Sequence, residues 1–268
     1  MYLLKDFKPQ AIIFDKDGTL IDFDAMWGNW TLELADRLQA AIELDVRHAL
    51  CESYGYDLTR RKISPDGKLT CTPMWQLQQL MVDVVRSLGL STLEAACAVE
   101  KAWHVPDSVT LAKPLTDIQK LFLNIHKLGI KVAIATTDDR DPTEAMLEAF
   151  GVKDLITTMI CADDGIKAKP APDMVATICQ RMNVHPSKVM VVGDTVADLQ
   201  MARSAGAGYV IGVLSGVGSL ANLTPLADIL IDTIDTLQES FILKEAVQTQ
   251  RPETDESLPG WNADPAYS

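Results

Sequence analysis

From about Val109 onward the chain alternates short apolar runs with amphipathic segments, and this alternation restricts its fold more than any other feature. KVAIATT, DLITTMICADD, KVMVVGD, YVIGVLSG and ADILIDT read as strands. Ile118 to Leu128, DPTEAMLEAF, PDMVATICQRM and DLQMARSAG read as helices, the first stopping at Gly129 and the last at Gly206. In DPTEAMLEAF, Asp141 is expected at the cap, Pro142 in the first turn, and Glu144 completing a capping box. Strands and helices alternating at this spacing predict an α/β fold with a Rossmann-like, doubly wound parallel sheet.

An earlier stretch, AIIFDKDGTLID from Ala11 to Asp22, also reads as a buried strand closed by a Gly-containing turn. Its mouth carries Asp15 and Asp17. Like charges that close oppose one another's ionisation unless a cation or a shared proton compensates. The simpler reading is that both residues cap a turn.

Between this strand and the alternating region the pattern becomes helical. Leu32, Ala35, Leu38, Ile42, Val46 and Ala49 recur at helical spacing with Gly55 as a stop, and Met74 to Leu88 repeats the pattern before Gly89. Ser91 with Glu94 forms the capping box of a third helix. A turn-rich connector between the first two carries Arg60, Arg61, Lys62 and Lys68. Residues 1–24 and 107–244 are therefore expected to form a discontinuous α/β core, and 25–106 an inserted α-helical module. Residues 245–268, polar and Pro-containing, read as a flexible acidic tail, with Trp261 either a docking anchor or part of a disordered end.

The net charge of -13 and pI near 4.7 argue against nucleic acid or an anionic membrane as partner. An anionic small molecule requires local positive charge at its site. The five cysteines show no CxxC spacing and read as reduced thiols. The beginning, MYLLKDFKPQ, lacks a signal-peptide pattern, and no apolar run is long enough to span a bilayer, so a cytoplasmic location is expected.

Ligands of open parallel sheets bind beyond the carboxyl ends of the strands. Here those ends carry Asp15-Lys16-Asp17-Gly18-Thr19, then Thr136-Thr137-Asp138-Asp139, then Lys167 and Lys169 before Pro170, then Gly193-Asp194-Thr195 with Asp198. This series resembles the four motifs of the haloacid dehalogenase-like hydrolase superfamily, in order: DKDGT, Thr136 after VAIA, Lys169 in KPAPD, and GDTVAD. The helical insert sits where that family places its type-one cap, and the likeness is to its phosphoglycolate phosphatase and phosphomutase group.

The resemblance implies a Mg2+-dependent phosphatase acting on a small phosphorylated metabolite such as 2-phosphoglycolate. Asp15 would be the nucleophile and Asp17 the general acid and base. Asp15, the backbone carbonyl of Asp17 and Asp194 would hold Mg2+ directly, and Asp198 would hold it or orient its waters. Thr136, Thr137 and Lys169 would contact phosphate, and Gly18 and Thr19 would be substrate-binding as well, Gly18 also giving the turn that aims Asp17. Arg60 and Arg61 could meet a substrate carboxylate, or face water as charge runs usually do. Dehalogenases of the superfamily have an aromatic residue and phosphonatases a small apolar one where Asp17 stands. Lys16 reads either as a tolerated variant or as a direct participant. Asp138 and Asp139 read either as caps of the next turn or helix, or as residues of which one contacts a polar substrate group or supports the loop. Two other functions stay open, a phosphomutase of the β-phosphoglucomutase type and a non-catalytic binding protein, and the tail leaves room for a protein partner.

Overall fold

A computed structural model describes residues 7–70 and 72–237. Six parallel strands form one sheet: β1 (Ala11–Phe14), then, beyond the helical segment, β4 (Lys131–Ala135), β5 (Thr158–Ile160), β6 (Val189–Gly193), β7 (Tyr209–Val213) and β8 (Ile229–Ile231). Their spatial order is β5-β4-β1-β6-β7-β8. Helices α6 (Ile118–Lys127), α7 (Arg140–Ala149), α8 (Asp173–Met182) and α9 (Val196–Ser204) connect them.

Alternate residues of each strand point to opposite faces, and helices cover both. Ile12, Phe14, Val132, Ile134 and Val192 face a cluster containing Leu121, Phe122 and Ile125 of α6 and Met146 and Leu147 of α7. Ile13, Ala133, Ala135 and Val191 face Met174, Val175 and Ile178 of α8 and Leu199 and Ala202 of α9. With both faces dry, the strands read as continuous apolar runs.

The helical segment contains α1 (Asn29–Ile42), α2 (Arg47–Tyr54), α3 (Met74–Ser87) and α4 (Thr92–Ala102). Helix α1 packs on α2 and α4, and α3 on α4. Trp30 is the centre of this packing: it stacks on Tyr54, meets Trp103 edge-on, and donates its indole N–H to the His104 carbonyl at 3.0 Å. The Tyr54 hydroxyl donates to the Leu77 carbonyl at 2.8 Å, fastening α2 to α3.

Three local expectations are corrected. The periodicity from Leu32 to Ala49 is not one helix, because the chain turns at Glu43, whose φ of 53° ends α1 before α2 begins. The connector holds a short antiparallel hairpin, β2 (Tyr56–Asp57) and β3 (Lys62–Ile63), whose pattern was too brief to read. Helix α7 begins one residue earlier than Asp141, after Asp139, with no side-chain cap. Glu144 reaches Arg140 and Lys153 at 3.0 Å each instead of closing a box. The Ser91–Glu94 capping box of α4 is present as expected.

Short helices α5 (Ser108–Leu111) and α10 (Leu220–Leu223) complete the described residues. Cys51, Cys161 and Cys179 are buried and Cys97 exposed, all as free thiols. Among the described residues no helix is long and apolar enough to cross a membrane. The proposed tail 245–268 and the stretch 238–244 lie outside the described residues.

Candidate active site

The sheet order places the topological switch between β1 and β6: β4 and β5 extend from one side of β1, and β6, β7 and β8 from the other. Connections leave these neighbours in opposite directions, so a crevice opens past their carboxyl ends. Asp15 directly follows β1 and Asp194 directly follows β6. The Asp15 N–H donates to the Val192 carbonyl at 2.9 Å, extending the ladder by one residue and fixing the carboxylate at the crevice.

Asp15, Asp194 and Asp198 are all buried and can bring one oxygen each within 4.8 Å of the others. Lys169 lies between two of them, its Nζ 2.5 Å from Asp15 Oδ1 and 2.6 Å from Asp198 Oδ1. Asp198 reaches this position because it is the third residue of α9 and closes a capping box with Thr195. Its Oδ2 accepts from the Thr195 N–H at 3.0 Å and hydroxyl at 2.6 Å, which leaves Oδ1 for the site.

Asp194 is held by the loops around it. Its Oδ2 accepts the Val217 N–H at 2.9 Å, and the Thr19 hydroxyl lies 3.4 Å from Oδ1. Gly18 has a φ of 85°, and a β-carbon there would lie 2.5 Å from Asp194 Oδ2. Glycine is required both by backbone conformation and by space. Ser215 donates its hydroxyl to the Gly18 carbonyl at 2.8 Å, tying the loop after β7 to the loop after β1.

Charge is unbalanced here. Burial pushes the Asp15 carboxyl up to about 7; Lys169 pulls it back, while Asp198 and Asp17 push it further. Burial, with Asp15 and Asp198 adding to it, holds Asp194 well above the usual carboxylate range. For Lys169, burial works against the ammonium but Asp15 and Asp198 outweigh it and raise its pKa. Three crowded carboxylates with a single lysine among them, all offering oxygen, suit a small hard cation such as Mg2+.

The Asp17 carboxylate is not part of that cluster; the expectation gave only its backbone carbonyl to the metal. Its Oδ1 accepts the Trp27 indole N–H at 2.7 Å and its Oδ2 meets Lys16 Nζ at 2.8 Å. Asp15, Asp17, Thr137, Lys169 and Asp198 line a common pocket, closed on the other side by Trp27, Leu69, Thr70, Thr72 and Met74. Thr136 is buried at the end of β4, where its hydroxyl oxygen accepts the Asp138 N–H at 3.1 Å; Thr137 lines the pocket and Thr136 does not. Thr19 faces Asp194, away from the pocket lining.

Arg60 and Arg61 are not brought to the site. Both are exposed in the turn between β2 and β3, and neither lines the pocket. A two-residue hairpin strand turns its tip into solvent, so spacing from the apolar residues could not reveal it. Asp138 also lines the pocket and supports the loop, accepting the Asp139 N–H at 2.9 Å and pairing with Lys16 at 3.0 Å, while Asp139 makes no side-chain cap bond.

Sequence reasoning missed the contact of Trp27 with Asp17, the Ser215 to Val217 loop, and the burial of Lys16. Only Lys16 carried a signal. A lysine at the end of a buried strand needs carboxylate partners, and Asp138 follows the neighbouring strand.

A model of haloacid dehalogenase-like hydrolases matches residues 9–206. The chain belongs to the haloacid dehalogenase-like hydrolase family. It is 27% identical over 197 residues to the validoxylamine A 7'-phosphate phosphatase of Streptomyces hygroscopicus subsp. limoneus, covering 74% of this chain and 82% of that one. It is 26% identical over 208 residues to the phosphoglycolate phosphatase of Rhodospirillum rubrum, covering 76% and 79%. Among solved structures, a predicted phosphoglycolate phosphatase from Haemophilus somnus 129PT superimposes with a TM-score of 0.60 at 20% identity, covering 88% of this chain and 97% of that one. That likeness is one of fold. This haloacid dehalogenase-like hydrolase therefore shares its architecture with enzymes whose named substrates differ widely.

Proposed function

We propose that the protein is a Mg2+-dependent phosphatase that hydrolyses a small phosphomonoester through an aspartyl-phosphate on Asp15. The observation that carries this is a buried carboxylate, Asp15, held by Lys169 and sharing a pocket with a second carboxylate, Asp17, that lies outside the metal cluster. One carboxylate is set for attack and the other for proton transfer.

The Asp15 carboxylate attacks phosphorus as the ester oxygen departs. Asp17 gives that oxygen a proton, a contribution of about 10²–10⁴-fold for a positioned acid. It then takes a proton from water, whose oxygen attacks phosphorus and displaces the Asp15 carboxylate as phosphate forms. Lys169 neutralises Asp15 and Asp198, and the Thr136 hydroxyl and Thr137 hold phosphoryl oxygens. Mg2+ held by Asp15, Asp194, Asp198 and the Asp17 carbonyl would offset the charge of the phosphoryl group. Residues 25–106 act as a cap that closes over the pocket and limits it to small substrates.

The cap side of the pocket, among the described residues, offers hydroxyls and apolar groups but no cation. With Arg60 and Arg61 pointing away, an uncharged hydroxylated leaving group suits the pocket better than the carboxylate of 2-phosphoglycolate. Phosphate release measured across sugar phosphates, polyol phosphates and 2-phosphoglycolate with Mg2+ tests both points. Activity that prefers the sugar and polyol esters and vanishes in Asp15→Asn is expected. A wild-type protein inert toward every ester refutes the reading.

A further inference from the structure

The mechanism just described leaves Lys16 without a role, yet the fold has buried it completely. An ammonium taken out of water is costly, and an apolar residue at such a position often serves stability as well or better. Position 16 continues an apolar strand, so leucine or valine would be the ordinary choice. We propose that Lys16, backed by Asp138, is a positioning residue that fixes the Asp17 carboxylate on the leaving-group side of the pocket. This role rests on the phosphatase reading above.

Both ends of the arrangement are anchored. The Lys16 carbonyl accepts the Leu20 and Ile21 N–H groups at 2.8 and 3.1 Å, so its backbone is locked in the loop after β1. Asp138 is pinned through three contacts: its N–H donates to Thr136, its carbonyl accepts the Ala162 N–H at 2.9 Å, and its Oδ1 accepts the Asp139 N–H. That leaves Asp138 Oδ2 for Lys16 at 3.0 Å. The ammonium, held from behind, then meets Asp17 Oδ2 at 2.8 Å.

The second oxygen of Asp17 is held by Trp27 at 2.7 Å. Two fixed partners on two different oxygens define both side-chain torsions of an otherwise mobile carboxylate, and a displacement of about 1 Å at such a group can cost about 100-fold in rate. Asp138 has a second effect. Its charge offsets that of Lys16, so Asp17 is oriented by a nearly neutral pair and is not trapped by a bare cation. Lys16 itself does not line the pocket, whereas Asp138 does, so the Lys16→Met single variant changes no pocket-lining side chain.

A residue that orients the proton donor matters only where a proton is needed. Alkoxides are poor leaving groups and need it; p-nitrophenolate does not. The test is kcat/KM, which reports transfer to Asp15, for an alkyl phosphate and for p-nitrophenyl phosphate in wild type, Lys16→Met and Lys16→Met/Asp138→Asn. The double variant removes both buried charges while Asn keeps an oxygen for the Asp139 N–H, so it guards against loss of folding. The ratio of the two esters also cancels any inactive fraction.

Both variants are expected to lose about 30-fold or more on the alkyl ester, within the range of a general acid, and less than about 3-fold on the aryl ester. Equal losses on both esters, or no loss on either, overturn the positioning role while leaving the phosphatase reading intact. With the alkyl ester taken as the best sugar or polyol phosphate of the panel, a wild type inert toward all of these esters overturns the phosphatase reading and this role with it.

Discussion

Replacing Lys169 with methionine tests the electrostatics of the site without reference to any substrate. Methionine fills much of the same volume but leaves Asp15 and Asp198 facing each other without their shared cation. The side chains concerned are only 4%, 10% and 1% exposed, so solvent screens little of the loss. Removing one partner of a buried pair costs about 3–5 kcal/mol. For a chain of this size that is a fall in Tm of about 6–20 °C, at about 2–4 °C per kcal/mol.

The deficit should depend on pH, and the sign is fixed by Asp15. Its folded pKa is raised to about 7 from 3.8, so as pH rises through that window the folded state must give up a proton it holds more tightly than the unfolded chain does. Lys169 relieves that cost when Asp15 is ionised. The variant should therefore lag the wild type most above about pH 7 and less at pH 5, where Asp15 is already neutral. Calorimetric scans of both proteins in chelator at pH 5 and pH 8 measure this directly. A variant as stable as wild type at pH 8 refutes the argument.

Three further outcomes follow from the same geometry. Mg2+ should raise the Tm of the wild-type protein more at pH 8 than at pH 6, because the elevated Asp15 and Asp194 hold protons that compete with the ion; thermal shift across that range is the check. Gly18→Ala should lower stability by about 1–3 kcal/mol and weaken Mg2+ activation at least tenfold, since its β-carbon displaces Asp194 from a positive φ position; a Mg2+ titration of phosphate release separates the two effects. Arg60→Ala and Arg61→Ala should leave kcat/KM within about twofold of wild type, as expected of exposed side chains away from chemistry; a larger loss places the hairpin turn at the substrate.

The parallel sheet was legible because burial on both faces writes itself into composition. Runs such as VAIA and VMVV permit little else, and their neighbouring helices carry matching apolar stripes. The convergence of the candidate site residues was legible for a related reason: Asp15, Thr136 and Asp194 directly follow strands, and strand ends in an open sheet converge on one edge, whereas Lys169 lies in the connection between β5 and α8. The Ser91–Glu94 box was equally clear, being complete within four residues. The supposed cap at Asp141 was not, because α7 starts where Arg140 pairs with Asp164, a contact across 24 residues that local propensity does not contain.

By itself, then, the sequence determined which elements form, that they alternate, and which carboxylates end their strands, since those properties are local and periodic. Only the tertiary structure decided the surroundings of those carboxylates. It placed Lys16 between Asp17 and Asp138, turned Trp27 onto Asp17, closed Gly18 and Val217 around Asp194, and sent Arg60 and Arg61 into solvent. Each of these depends on which distant segments share a crevice, and the free energy of a buried charge is set by those neighbours and not by the residues beside it in the chain.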